Sequence, residues 1–229
     1  MPKPTPLLHA LRAELSQHAD PARALEKQAY MKSTMPFWGV SNEATRSIAK
    51  RLIAAHPIDD AETFMRDVRE VWDAATHREE RYAAIDFTAD KRARAFHTKA
   101  ILPLYEHMIR TGAWWDLVDA IVPARFLLLF EKEPSMPRVM RAWANSEDMW
   151  MRRAAILSQL KRKTNTDLAL LEDCLAPSLT SKEFFLRKAI GWSLRELSKK
   201  NAGFVKQYVD AHRAEMSGLS IREAEKHFG

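Results

Sequence analysis

The chain has 229 residues, of which 46% are hydrophobic, enough to bury a core in one or two domains. It contains only six glycines, fewer than the roughly 7% of an average chain, which argues against an all-β fold with many tight hairpin turns. The net charge of +6 favours an anionic partner such as nucleic acid, although ordinary surface charge explains it equally well.

Several classes of chemistry are excluded or disfavoured by what the sequence lacks. The single cysteine, Cys174, rules out an internal disulfide and a Cys-based metal site, and the eight histidines show no paired ligand spacing. We therefore expect neither a metal nor a cofactor. The amino terminus has no signal-peptide core and no apolar run is long enough to span a membrane, so we expect a cytoplasmic protein without a membrane partner.

Helical signals begin at the amino terminus, and no segment has a convincing strand pattern. Apolar residues at positions 7, 8, 11 and 15 predict a helix over 6–18. Pro21 is predicted as the first residue of a helix that is capped by Asp20 and ends near Met31. Ser41 is predicted as the N-cap of the next helix.

The rest of the chain continues the helical pattern, with a break every 12–20 residues. Asp59 and Asp60 open a helix that carries Phe64 and Trp72 on one face. Further helices are predicted at about 77–90, 93–111, 114–131, 135–145, 147–162, 166–176, 181–200, 203–216 and 219–228.

A weak internal repeat accompanies these helices. The dipeptide Ala-Ile recurs at 84–85, 120–121, 155–156 and 189–190, a spacing near 35 residues, although another at 100–101 is out of register. A period of two helices predicts an all-α fold, an α-solenoid of HEAT-like repeats with one helix of each pair on a concave face.

We expect this solenoid to form one domain over residues 1–229. Lys161 and Arg195 are 34 residues apart and therefore equivalent in the repeat, and Asp119 and Lys188 each precede the isoleucine of the dipeptide by two residues. The two predicted helices that carry these lysines are rich in Lys and Arg and poor in acids, which favours binding to a phosphate backbone. Ordinary solvated helix faces are the alternative.

The segment 113–123 contains the residues best suited to chemistry. Trp115 and Asp119 are four residues apart and share a helix face. Because Asp119 is surrounded by aliphatic residues, its carboxylate would be costly to bury without a purpose. Asp116 is explained by the favourable helix dipole at an N-terminus, and Trp114 by core packing.

A second unusual segment surrounds Trp192. Gly191 lies in the middle of a predicted helix, where it costs about 1 kcal/mol relative to Ala. Its presence predicts that something approaches the backbone closely beside Trp192. Lys188 and Arg195 flank this position, so we interpret Trp192 as a site residue rather than a core residue.

Seven segments together, from about residue 25 to residue 227, resemble the AlkD-like DNA alkylation repair family, a group of HEAT-like-repeat DNA glycosylases. The segments are REVWD at 69–73, WWDLVD at 114–119, WMRRAAIL at 150–157, LK at 160–161, SKEFF at 181–185, GWSLRE at 191–196 and LSIREA at 219–224.

The resemblance implies excision of positively charged N3- and N7-alkylated purines from double-stranded DNA, without flipping of the base, and a DNA-facing solenoid of this length is expected to work as a monomer. It implies that Asp119 is the catalytic carboxylate and that Trp115 and Trp192 face the lesion. Asp119 would stabilise the oxocarbenium character of the sugar and position a water molecule. The DNA contacts implied by the resemblance are Arg153, Lys161, Arg195, Tyr30 with Lys32 close by, and Ser41, where a longer amide is expected, and the repeat register adds Lys188.

Two other functions use the same fold. A non-catalytic solenoid could bind DNA structures, but it would have no use for Asp119 on a phosphate-facing surface. A protein–protein scaffold is the other alternative, but it would not need the cationic helices. The fold by itself does not choose among these functions.

Overall fold

The structure of the protein is a computed structural model that describes residues 5–228. Within that range it contains α-helices and short 3-10 turns and no strand, which confirms the predicted all-α class. The chain divides into two compact units, the first ending at Leu104 and the second starting at Tyr105. A single domain over the whole chain stays a prediction. None of the described helices is long and apolar enough to cross a membrane.

The first unit is built from helices and 3-10 turns of moderate length. They are α1 (Pro6–Gln17), α2 (Pro21–Met31), α3 (Asn42–Ala55), α4 (Ala61–Asp73), α5 (Arg78–Phe87), the 3-10 turns Lys91–Phe96 and Lys99–Ile101, and the first residues of α6 (Leu102–Gly112).

Three predicted caps are confirmed in this unit. The side chains of Asp20, Ser41 and Asp60 each accept a hydrogen bond from the backbone N–H three residues later, at 3.0, 3.1 and 2.8 Å. Each cap satisfies one of the N–H groups that a helix start leaves without a partner.

The prediction of one helix over 93–111 is wrong at its amino-terminal end. The chain forms two 3-10 turns there, and α6 begins only at Leu102. Pro103 explains the difference, because proline has no N–H to donate and is tolerated only in the first turn of a helix.

Two fully buried glutamates hold the loop between α2 and α3 against α5. Glu79 accepts hydrogen bonds from the backbone N–H groups of Trp38 (2.9 Å) and Gly39 (3.0 Å). Glu80 accepts from the indole Nε1 of Trp38 and from Nε of Arg12, both at 3.2 Å. Because every carboxylate oxygen has a donor, these buried charges fix the path of the loop.

The second unit contains the rest of the helices in two layers. They are α7 (Trp115–Lys132), α8 (Met136–Ala144), α9 (Met149–Leu157), α10 (Leu168–Leu175), α11 (Phe184–Ser198), α12 (Ala202–His212) and α13 (Gly218–Ala224).

The helices of the second unit pack in the paired order of HEAT-like repeats. Helices α7, α9, α11 and α13 form one row, in which each packs on the next, while α8 and α10 cover α9, and α12 covers α11. Ile121, Ile156 and Ile190, which mark the sequence repeat, are fully buried on three successive helices of the row. The repeat therefore records a core position, and the predicted HEAT-like organisation is confirmed. The concave DNA-binding face stays a prediction.

Candidate active site in the second unit

The centre of the candidate site is an ion pair between Asp119 on α7 and Arg153 on α9. Nε of Arg153 donates to Oδ1 of Asp119 at 2.9 Å, and Nη2 donates to Oδ2 at 2.7 Å. The Asp119 side chain is 16% exposed and that of Arg153 is 5% exposed. Nη1 of Arg153 also donates to the backbone carbonyl of Phe185, so the guanidinium joins α7, α9 and α11.

The surroundings of Asp119 raise its pKa above the usual range of an aspartate. Burial is the largest cause, and the nearby charge of Asp116 acts in the same direction. The hydrogen bonds and the positive charge of Arg153 oppose this rise. The result is a carboxylate whose orientation is fixed by two bonds and whose proton affinity is greater than that of a solvated aspartate.

The backbone near Asp119 has one further local feature. Helix α7 continues through Pro123, which is buried four residues after Asp119. A proline has no N–H, so it cannot make the usual helical hydrogen bond to the carbonyl of Asp119. The predicted segment therefore places an interrupted hydrogen-bond ladder directly beside the carboxylate.

Trp115 and Trp192 are half-buried, on α7 and α11 respectively. Among the described residues neither ring stacks on another aromatic ring. Trp114 differs, because it packs against Trp150 and Phe185 at centroid distances of 6.0 and 5.3 Å, as predicted for a packing residue. The indole faces of Trp115 and Trp192 are thus not used by the internal aromatic cluster.

Gly191 is explained by the packing of α13 and not by a ligand. A Cβ atom at this position would lie 2.5 Å from Cβ of Glu223 and 3.0 Å from the carbonyl oxygen of Ser220. The predicted close approach to the backbone is confirmed, but the protein's own last helix makes it. Gly191 therefore no longer supports Trp192 as a site residue.

Lys188 and Arg195 are brought together by a residue that sequence reasoning missed. The Glu223 carboxylate, on α13, accepts from Nζ of Lys188 at 3.2 Å and of Lys226 at 3.0 Å, and it also pairs with Arg195. Burial alone would raise the pKa of Glu223, but the three cations together hold it below its usual range. The sequence signal was available, since Glu223 follows Lys188 by one repeat length of 35 residues.

Lys161 lies apart from both ion-pair clusters. Helix α9 ends at Leu157, so Lys161 is in the turn after the helix and not on the helix as predicted. It is exposed, and within residues 5–228 it has no carboxylate partner. It is therefore the one predicted cation of the second unit whose charge is not neutralised by an ion pair in the described part of the chain.

The remaining predicted contacts belong to the first unit. Tyr30 is 77% exposed near the end of α2. Lys32 follows it in a left-handed backbone conformation, with φ 49°. The Ser41 hydroxyl accepts the capping hydrogen bond of α3, and its own proton remains available for donation.

The described residues offer neither a cluster of metal ligands nor a reactive thiol. No group of three or more His, Cys, Asp or Glu side chains within residues 5–228 is arranged to hold a metal ion. Cys174 is buried, and burial raises the pKa of its thiol to about 12. A thiol with that pKa has little nucleophilic thiolate at neutral pH.

Fold and site together define a class: an all-helical repeat protein whose row of helices carries a largely buried, ion-paired carboxylate among several cations. The chain belongs to the DNA alkylation repair enzyme family, whose model matches residues 11–228, and this confirms the resemblance found in the sequence. It is similar to a solved structure described as a predicted DNA alkylation repair enzyme from Enterococcus faecalis. That similarity has 29% identity and a TM-score of 0.75, and it covers 93% of this chain and 97% of the other. A comparison with curated proteins gives no match.

Membership of this family gives the protein a role in the repair of alkylated DNA, with DNA as its partner.

Proposed function

We propose that the protein is a DNA glycosylase of base excision repair that hydrolyses the N-glycosidic bond of positively charged N3- and N7-alkylated purines in duplex DNA. The observation that carries this proposal is the Asp119 carboxylate, held by two hydrogen bonds from Arg153 one helical turn from Trp115. It is an oriented, largely buried anion on the row of helices that also carries Arg153, Lys188 and Arg195.

The reaction needs little from the protein. Alkylation places a positive charge on the purine, so the base leaves as a neutral molecule and needs no general acid. As the bond from C1′ to the purine nitrogen breaks, its electron pair goes to the base and positive charge develops on the sugar. The Asp119 carboxylate stabilises that charge and orients a water molecule, whose oxygen forms the new bond to C1′ and whose proton passes to the carboxylate or to solvent. The products are the free base and an abasic site.

Arg153 acts in this scheme as a positioning residue. Its guanidinium fixes both carboxylate oxygens of Asp119 and opposes the rise in pKa that burial causes, which favours the ionised form. A nearby DNA backbone would add negative charge and favour the protonated form, so the opposing cation matters most in the complex. The predicted direct contact between Arg153 and DNA would need its side chain to be accessible, and in this structure that side chain is almost fully buried. The contact stays a prediction.

The two tryptophans supply the second part of the site. Trp115 and Trp192 would present the faces of their indole rings to the cationic nucleotide, an interaction worth up to about 2 kcal/mol when it is desolvated. Since alkylation makes the base cationic, this contact distinguishes a lesion from an undamaged purine. It requires no deep pocket and is compatible with recognition of a base that is not flipped.

Binding to duplex DNA would rest on Lys161, Lys188 and Arg195 in the second unit and on contacts from the first unit. The first unit would contribute Tyr30, Lys32 and Ser41. We propose that the protein acts as a monomer in the cytoplasm, where it meets the DNA directly.

A non-catalytic DNA-binding protein is the second candidate function. Arg195 and Lys188 would serve it as well as they serve a glycosylase. A scaffold for other proteins is a third possibility that the same helices allow. Both lack any use for a buried carboxylate that is oriented by an arginine, because such a pair is costly to desolvate and adds little stability.

Asp119→Asn tests the proposal. This substitution keeps the shape of the side chain and one acceptor for Arg153, but it removes the negative charge. We expect release of 7-methylguanine from methylated duplex DNA to fall by about 10²–10⁴-fold while the dissociation constant for DNA changes little. Asp116→Asn, three residues earlier in the first turn of α7, is the control and should release base at nearly the normal rate. Undiminished base release by a folded Asp119→Asn protein would contradict the mechanism.

A further inference from the structure

The chain between α9 and α10 forms a turn that is pinned at both ends. Gln159 is 4% exposed, and its amide makes two hydrogen bonds to the backbone of Asp167. Nε2 donates to the Asp167 carbonyl at 2.9 Å, and Oε1 accepts from the Asp167 N–H at 2.8 Å. Because a buried amide with both ends satisfied has one favourable orientation, this clamp holds the intervening residues in a fixed path.

Further contacts brace the turn from inside. Nε of Arg162 donates to the carbonyl of Asn165 at 2.9 Å, and its guanidinium lies 4.6 Å from the ring centroid of Phe130. The hydroxyl of Thr166 donates to the carbonyl of Lys163 at 2.8 Å. Arg162 is therefore folded back onto the protein and stabilises the turn.

Lys163 occupies a backbone conformation that suits glycine better than lysine. Its φ of 55° lies in the left-handed region, where a Cβ atom is unfavourable. Strain of this kind persists where the side chain has a use. Lys163 is also exposed, and within residues 5–228 neither it nor Lys161 has an ion-pair partner.

We infer that this turn, residues 160–166, binds the DNA backbone and that Lys163 is a phosphate-contacting residue in addition to Lys161. The inference rests on the proposed DNA-binding function and extends it to one further residue. A rigid turn presents two ammonium groups without the ordering cost of a mobile loop. Two exposed point charges, two residues apart in the chain, suit the closely spaced phosphates of a nucleic acid strand.

An acidic residue beside the turn is already engaged in another ion pair. Glu196 lines a small cleft of about 10 Å³ together with Lys163, but its carboxylate oxygens both accept from Nζ of Lys199 at 2.8 Å. The contrast with Lys188 and Arg195 is direct, because Glu223 pairs with both of them. The turn therefore offers positive charge that is not neutralised by an ion pair in the described chain, unlike Lys188 and Arg195 on α11.

Lys163→Gly distinguishes the effect of the Lys163 backbone strain on stability from the effect of its charge on DNA binding. Glycine suits the left-handed backbone, so the melting temperature should stay the same or rise. Affinity for an undamaged duplex should fall roughly five- to tenfold at about 0.1 M salt, and the salt slope of log K should become shallower by about 0.9. The measurement is fluorescence anisotropy of a labelled duplex between about 0.05 and 0.2 M salt.

Two more variants complete the test. Lys163→Gln removes the charge without the glycine. Lys206→Gln is the matched control, because it removes the same charge from α12, in the covering layer, where Lys206 is 71% exposed and paired with Asp210. Its affinity should stay within about twofold of the normal protein.

The outcomes separate the inference from the proposed function. If the unsubstituted protein fails to bind duplex DNA at low salt, the DNA-binding function itself is wrong. If it binds, and Lys163→Gly and Lys163→Gln bind equally well with the same salt slope, only the role of Lys163 is overturned. An equal loss in Lys206→Gln would also overturn it, since the effect would then be one of overall charge.

Discussion

Asp119 and Arg153 form a pair that stability alone does not explain. Desolvation of two charges costs about as much as their attraction returns, and apolar residues of similar size often stabilise a fold better. The pair joins α7, α9 and α11 through the carbonyl of Phe185, yet a hydrophobic contact would also join them. A functional need for an ionised, oriented carboxylate accounts for the pair more directly.

The pH dependence of base release follows from this pair. Arg153 opposes the rise in the pKa of Asp119 that burial causes, so Arg153→Gln should raise that pKa further. Because the reaction uses the ionised carboxylate, its rate falls as the pH drops through this pKa. We therefore expect the acidic limb of the rate profile to move to higher pH, measured as initial rates with spontaneous release subtracted.

Arg141→Gln, on α8, is the control for charge, since Arg141 pairs with Asp173 outside the candidate site. An acidic limb at the same pH in Arg153→Gln and in the normal protein would show that Arg153 does not change the pKa of Asp119.

The same pKa shift also affects the stability of the fold. A carboxylate whose folded pKa is raised stabilises the fold fully below its unfolded pKa and loses that contribution as the pH rises through the folded pKa. Arg153→Gln should widen the pH range between the unfolded and folded pKa values of Asp119, over which this contribution is lost.

The sequence indicated Asp119 and Lys188 as neighbours of one surface, because the repeat period put them in register, and the family resemblance added Arg153. It did not indicate their partners. Arg153 was expected to face DNA, but its guanidinium donates to Asp119 and to the backbone carbonyl of Phe185. The direction of such a side chain depends on how neighbouring helices pack. Glu223 was missed for the same reason, although its spacing from Lys188 matches the repeat.

At the scale of helices, the sequence predicted where helices begin better than where they end. Caps such as Ser41 have a direct backbone partner three residues later, so they can be found in the sequence. The helix end after Leu157 could not be found in the sequence, because Gln159 terminates α9 through hydrogen bonds to Asp167, eight positions later. That tertiary clamp moved Lys161 from a helix into a turn.

The packing of α13 on α11 gives a prediction for Gly191. Gly191→Ala brings a Cβ within 2.5 Å of Cβ of Glu223, so α13 must shift. We expect a loss of about 1–3 kcal/mol in the free energy of unfolding, measured by urea denaturation. Gly203→Ala is the matched control, because its added Cβ has no neighbour within 4 Å on α12. It should be neutral or stabilising by up to about 1 kcal/mol. Equal stability of the two variants would contradict the close packing of α13.

At the scale of the whole molecule, the charge that matters for DNA differs from the net charge of +6. The salt slope of binding counts cations that replace counterions on phosphates, and a cation already held by a carboxylate contributes less. Lys161 has no such partner in the described chain, whereas Arg195 shares Glu223 with Lys188. The distribution of ion pairs therefore divides the predicted DNA contacts into two kinds.

This division predicts different salt slopes for two alanine variants. Lys161→Ala should weaken DNA binding and make the slope shallower by about 0.9, while Arg195→Ala should also weaken binding but change the slope less. Glu223→Gln should act in the opposite direction, since it frees Lys188 and Arg195 and so steepens the slope. Titrations of one duplex at several salt concentrations give all three values. If both alanine variants have the same salt slope as the unsubstituted protein, neither Lys161 nor Arg195 contacts the DNA backbone. If Glu223→Gln leaves the slope unchanged, Lys188 and Arg195 do not face the phosphates.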